Sequence, residues 1–190
     1  MIYSFPIWRE ELKRMRAELI SCWDILECLK ALENPNEGLS ASAARHKLQF
    51  DADQKFMKAF FLSAFSMRKM DEAANQPWPA GKTLGRRHDR QLDKRLKDFD
   101  FDTYVGKEET LSNGNKKLSP KSVQSKNGRE ITNLSIHSAA LRFFDQPFDE
   151  AGFWIQSDRV PEKQDKTKFV FVEFEQYCEM LDCFIQEPQE

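Results

Sequence analysis

The chain has 190 residues, 29 of them Lys or Arg and 31 Asp or Glu, for a formal net charge of −2. That length suits one domain with a real core, and the near balance of charge gives no molecule-wide field that would draw in a polyanion. No apolar run is long enough to cross a bilayer, and the opening residues lack the basic and apolar regions of a secretory signal, so a cytoplasmic protein without membrane attachment is expected.

The segment from Ile7 to Glu33 carries Leu12, Met15, Leu19, Cys22, Leu26 and Leu29 at spacings of three and four, with Trp8, Trp23, Ile25 and Leu32 widening the stripe. That period predicts a core-facing amphipathic helix. Pro35 and Gly38 stop it, and Ser40 or Ser42 can cap a second helix running to about Ala74. Ala44, Leu48, Ala52, Phe56, Phe60, Ala64, Met67 and Met70 mark the predicted buried face, with Phe61 and Phe65 beside it. The short link makes the two helices antiparallel neighbours. Phe is unusually common, with 16 residues, so an aromatic core is implied.

Pro77 to Gly81 ends the second helix. A shorter basic helix follows over about 83–99, with Leu84, Leu92, Leu96 and Phe99 inward and Arg86, Arg87 and Arg90 among its charges. Residues 106–127 are rich in Ser, Asn, Gly and Lys and read as a mobile loop within the domain. A fourth helix is predicted over about Glu130 to Phe144. The period then changes: Gly152–Ser157 and Lys168–Glu173 read as two strands of a β-hairpin, and Phe174 to Gln186 as a last helix. The expected fold is mainly α, an antiparallel helical bundle with a small C-terminal β-hairpin, in one domain over 1–190.

Cys22, Cys28, Cys178 and Cys183 fall in helical segments with no Cys-x-x-Cys spacing, which favours buried free thiols over zinc ligands or disulfides. Ala80-Gly81-Lys82-Thr83 resembles the end of a phosphate-binding loop, but Gln76 stands where that loop needs glycine and no strand precedes it. Asp98, Asp100 and Asp102 with Glu109 match a calcium loop in part, though Thr103 occupies its glycine position. The same residues read equally well as a short strand with Phe99 and Phe101 inward. His46 and His88 have no second ligand at metal spacing, and neither a metal nor a cofactor is expected.

The richest polar constellation lies in Ile131-Thr132-Asn133-Leu134-Ser135-Ile136-His137-Ser138. At helical spacing Asn133 and His137 are one turn apart and share a face, where an amide and an imidazole can jointly grip a phosphate, a ribose hydroxyl or a backbone group. The plain alternative is a helix cap beside a partly buried histidine.

Thr132-Asn133-Leu134-Ser135-Ile136-His137 resembles the motif of the HEPN superfamily, which reads Arg, a polar residue that is commonly Asn, three further residues, then His. The resemblance implies a helical fold and a metal-independent RNase, in a defence or toxin-like setting, whose motif residues from two chains of a homodimer face one cleft. His137 would then exchange protons with the ribose hydroxyl or leaving oxygen, and Asn133 would orient the phosphate or the histidine. Thr132 stands where the family has its arginine and cannot supply a delocalised cation. Arg129 and Arg142, about one turn to either side, are candidates to substitute although neither sits at the motif position, and Arg86, Arg87, Arg90 and Arg142 would contact the RNA substrate. A degenerate RNA-binding relative, or a helical interaction or dimerisation module without enzymatic activity, is the alternative.

Overall fold

The computed structural model describes residues 5–32, 39–74, 92, 94–110, 112, 114, 116–143, 151–157 and 168–187. Helix α1 (Phe5–Ala31) packs along helix α2 (Leu39–Ala74). Met15 meets the level of Ala59, and Trp23 that of Phe56, so the two run antiparallel. Leu12, Met15, Leu19, Cys22 and Leu26 are buried as the three–four spacing requires. Two residues of the widened stripe, Ile25 and Leu32, are exposed. On α2 the expected Ala52, Phe56, Phe60, Ala64, Met67 and Met70 are buried, whereas Leu48, Phe61 and Phe65 are exposed and so is Ala44. A strict four-residue spacing advances about 40° round the helix per step, so a row centred on Phe56 has turned about 120° away by Ala44.

The mainly α bundle is overturned by the rest of the chain. After a 3-10 turn at Leu96–Asp98 come strand β1 (Asp100–Thr110), strand β2 (Lys116–Asn127), a short helix α3 (Gly128–Ile136), strands β3 (Ser138–Arg142), β4 (Gly152–Ser157) and β5 (Lys168–Glu173), and helix α4 (Phe174–Ile185). The strands form one five-stranded antiparallel sheet in the order β2-β1-β5-β4-β3. The expected loop at 106–127 is thus most of a long hairpin, with Phe101 inward as the strand reading of that segment required. The expected fourth helix stops at Ile136, and its second half is an edge strand. The strands β4 and β5 do pair, but as the interior of the sheet and not as a free hairpin. The helical fold that the HEPN resemblance implies is not the one adopted. The basic helix expected at 83–99 falls largely outside the described residues, and its last part is the 3-10 turn, which Arg95 and Leu96 tie to the buried Asp71 of α2 through hydrogen bonds of 2.8 and 3.2 Å.

One face of the sheet takes the helices. Trp23 stacks on Phe174 at 4.5 Å, Phe56 meets Phe153 at 5.4 Å and Phe143 at 4.9 Å, and Phe60 meets Phe153 at 4.9 Å, the last three edge to face. Tyr177 of α4 is sealed in the same core, its hydroxyl 2.9 Å from that of Ser63; burial raises its pKa far above the ordinary phenol value. Of the four thiols, Cys22 and Cys178 are buried as expected, Cys183 is half-buried and Cys28 is exposed.

The other face has its own cluster of Leu118, Trp154, Phe169 and Phe171, all buried, with Tyr104 against it. The hairpin supplies part of its cover. Lys121 is an extra residue in β2 opposite the Val105/Gly106 step, and such a bulge bends the ribbon. Burial along β1 changes sides there: Phe101 and Thr103 are buried before the bulge, Gly106 at it. Beyond it, Leu118 joins the outer cluster and Glu108 reaches Arg142 on β3. On a flat sheet β1 and β3 would lie about 14 Å apart, so this ion pair requires strong curling, and Arg142 also sits over the Phe169 ring at 5.3 Å.

Gly106 is where the bend leaves no space. A Cβ there would lie 2.6 Å from the Trp154 ring. Gly106→Ala is expected to lower stability by about 1–3 kcal/mol, read from urea unfolding. Adding Trp154→Leu to that variant should cost less than the two changes summed; strict additivity would show that ring and Cβ do not compete for one space.

Candidate functional site

Helix α3 begins directly at the end of β2. Asn127 caps it by accepting from the Glu130 amide at 3.0 Å, while the Glu130 carboxylate accepts from the Asn127 amide at 3.0 Å. This reciprocal cap fixes where a short helix can start. Gly128 allows its first turn to press on the Leu96 carbonyl and the Met180 sulfur, each 2.7 Å from where a Cβ would stand. Ile131, Thr132 and Ser135 face the core, while Arg129, Glu130 and Asn133 are exposed.

His137 closes the helix. Its backbone N–H donates to the Asn133 carbonyl at 3.1 Å, and its φ of −107° and ψ of 26° lead into β3. It lies one turn past Asn133, as expected, but at the end of the helix and half-buried, with further interactions of its own. Arg129 lies one turn before Asn133 on the exposed side. The neighbour that sequence reasoning missed is Arg68 of α2, whose Nη1 donates to the Asn133 side-chain oxygen while its Nε donates to Glu72 at 2.9 Å. With its oxygen engaged, the Asn133 amide has its N–H₂ group left to present. Arg68 and Asn133 are 65 positions apart in the chain, and an Arg68–Glu72 spacing reads as an ordinary solvated helix pair.

The arginine position of the motif points the wrong way for catalysis. Thr132 is fully buried and its hydroxyl donates to the Arg129 carbonyl at 3.1 Å. Arg142, the second expected substitute, is held on the outer face of the sheet by Glu108 and Phe169. Arg86, Arg87 and Arg90, the loop-like run at 80–83 and His88 lie outside the described residues. The calcium reading fails on geometry: Asp98 and Glu109 stand near opposite ends of an extended strand, roughly 30 Å apart. Glu109 instead bonds Lys121 and Ser119, and those contacts, with Lys121 foremost, lower its carboxyl pKa. Among the described residues no three His, Cys, Asp or Glu side chains converge as metal ligands, and no helix is long and apolar enough to cross a membrane.

Charge is unevenly placed along this part of the chain. From Leu111 to Arg129 there are five cations and no carboxylate. They lie on β2, an edge strand, and at the start of α3. Glu109 and Glu130 reach back to Lys121 and Lys126, while Lys117 and Arg129 are exposed.

No protein-family model, no curated protein and no solved structure matches the chain.

Away from α3, Asp53 of α2 is half-buried with Oδ1 sealed and without a hydrogen-bond partner, and burial raises its carboxyl from 3.8 to about 6. The folded state holds that proton to higher pH than the unfolded chain, so its stabilising share is complete below 3.8 and lost as pH rises through about 6. Asp53→Asn is expected to match the parent near the acid end and to exceed it by about 1–2 kcal/mol at neutral pH, measured as urea midpoints at both ends of that window. An undiminished pH slope in the variant would assign the effect to another group.

Proposed function

We propose that the chain is an RNA-directed binding protein that contacts phosphate through the exposed face of α3. The observation that carries this reading is the Arg68–Asn133 hydrogen bond, which sets a guanidinium beside an amide on the same helical face as Arg129, one turn before His137. Guanidinium and amide N–H groups are the donors that phosphate oxygens accept from. The carboxylate-free run on β2 leads straight into this face and supplies the longer-range attraction a polyanion needs. Glu72 and Glu130 moderate that charge, which favours modest, salt-sensitive affinity.

Binding is favoured over cleavage. A phosphoryl-transfer site needs a cation where charge builds on the phosphate, and the motif position for it is buried as Thr132. The half-buried His137 closes the helix and supports the face rather than standing open as a proton donor.

A second reading, a dimerisation or protein-interaction module, is favoured by Phe50, Phe61 and Phe65. These are 62, 41 and 37% exposed and fall within an arc of about 60° on the outer side of α2.

The test is fluorescence anisotropy with several single-stranded RNAs across roughly 50–200 mM salt. Binding should weaken steeply with salt, and the double variant Arg68→Gln with Arg129→Gln should weaken it by roughly tenfold or more without changing the melting temperature much. RNA should stay intact throughout. If no RNA binds at the lowest salt, the RNA reading is withdrawn. Concentration-dependent dimers in light scattering, abolished by Phe61→Ser with Phe65→Ser, would establish the second.

A further inference from the structure

On the side of the helical pair where Arg14, Glu18, Lys55 and Lys58 emerge, α1 and α2 line a half-open cavity of about 220 Å³. Its floor is the buried pair Met15 and Ala59, and its walls are Arg14 and Glu18 from α1 and Lys55 and Lys58 from α2. Three cations and one carboxylate leave a surplus of two positive charges on the lining. Arg14 is steered by Glu11, which lies outside the cavity, through a 2.8 Å ion pair. Lys55 and Lys58 hold no carboxylate among the described residues, Glu18 included. They are also three positions apart on one helix, so their charges repel when nothing lies between them. One turn beyond Glu18 on α1, the buried Cys22 thiol lies in the field of Glu18, Lys55 and Asp53; burial, ahead of those charges, raises its pKa.

The geometry points to a binding site for a small phosphate monoester in this cavity. Its phosphate would lie between Lys55, Lys58 and Arg14, and its short organic part on Met15 and Ala59. The charge has the right sign: a phosphate monoester carries about −1.5 to −2 at neutral pH, against two lysines and an arginine that it would share with Glu11. The size matches as well, since the cavity holds about seven waters' worth of volume and lies below the roughly 300–1,000 Å³ of sites for drug-sized ligands. An arginine with two flexible lysines suits the several oxygens of a phosphate better than the two of a carboxylate. This site is on other elements than the α3 face and does not rest on RNA binding.

The test is titration of the full chain, methyl-labelled at methionine, with glycerol 3-phosphate, with glycerol as the uncharged arm and potassium chloride at matched ionic strength as the screening arm. The Met15 methyl resonance should move saturably with glycerol 3-phosphate and not with glycerol or the salt, and the melting temperature should rise with ligand. Lys55→Gln with Lys58→Gln, both exposed positions, should melt like the parent and bind at least roughly tenfold more weakly. Arg68→Gln with Arg129→Gln should leave the titration unchanged. A Met15 response that chloride reproduces, or an affinity that survives loss of both lysines, overturns the proposal.

Discussion

Phe153 of β4 lies between the rings of Phe56 and Phe60, and this edge-to-face contact is what joins the helical pair to the sheet. Each ring is fully buried, and burial of such a side chain is worth about 1.5–3 kcal/mol. The neighbours follow from it. Phe143 closes on Phe56 where β3 ends, Trp23 brings α1 onto Phe174, and Tyr177 seats α4 against Phe60. The helix α3 owes its position to the same frame: it is wedged between α2, β4 and the 3-10 turn. The Arg68–Asn133 contact exists because two segments distant in the chain are held at one place by rings, of which α2 supplies Phe56 and Phe60 and α3 none.

The sheet has aromatic cover on both faces, which is uncommon for an antiparallel sheet with helices on one side. Phe153 and Ile155 face the helices, while Trp154 between them belongs to the outer cluster, and Phe169, Val170, Phe171 and Val172 alternate in the same way. Part of the outer cover comes from the sheet itself, through the bent hairpin, Leu118 and the Arg142–Glu108 pair across the curl.

This explains which elements could be read from the residues. The helices α1, α2 and α4 each bury one long stripe, so the apolar period reports them. The strands β4 and β5 are buried on both faces and stand out as short continuous apolar runs. The border strands gave no such signal. Most of β2 is exposed, and Lys, Ser and Gln there resemble a loop; its strand state comes from backbone pairing with β1, which side-chain pattern does not record. In β3, Ser138 to Arg142 contains alanines and a leucine that favour a helix, and pairing with β4 overrides that preference. The site divides likewise. The one-turn relation of Asn133 and His137 was legible, since it is local. Arg68 was not, because the contact joins two helices, nor was the inward direction of Thr132, which depends on the face that α3 turns to the core.

The border position of β2 has a further consequence. Pro120, the extra residue Lys121 and the neighbouring lysines break the regular row of backbone groups that a stray strand would need. The outward side chains of this ribbon are also free of the interior's demands for shape. Evolution can therefore rewrite the electrical character of this rim, from cationic to neutral or acidic, one substitution at a time while the aromatic interior stays unchanged.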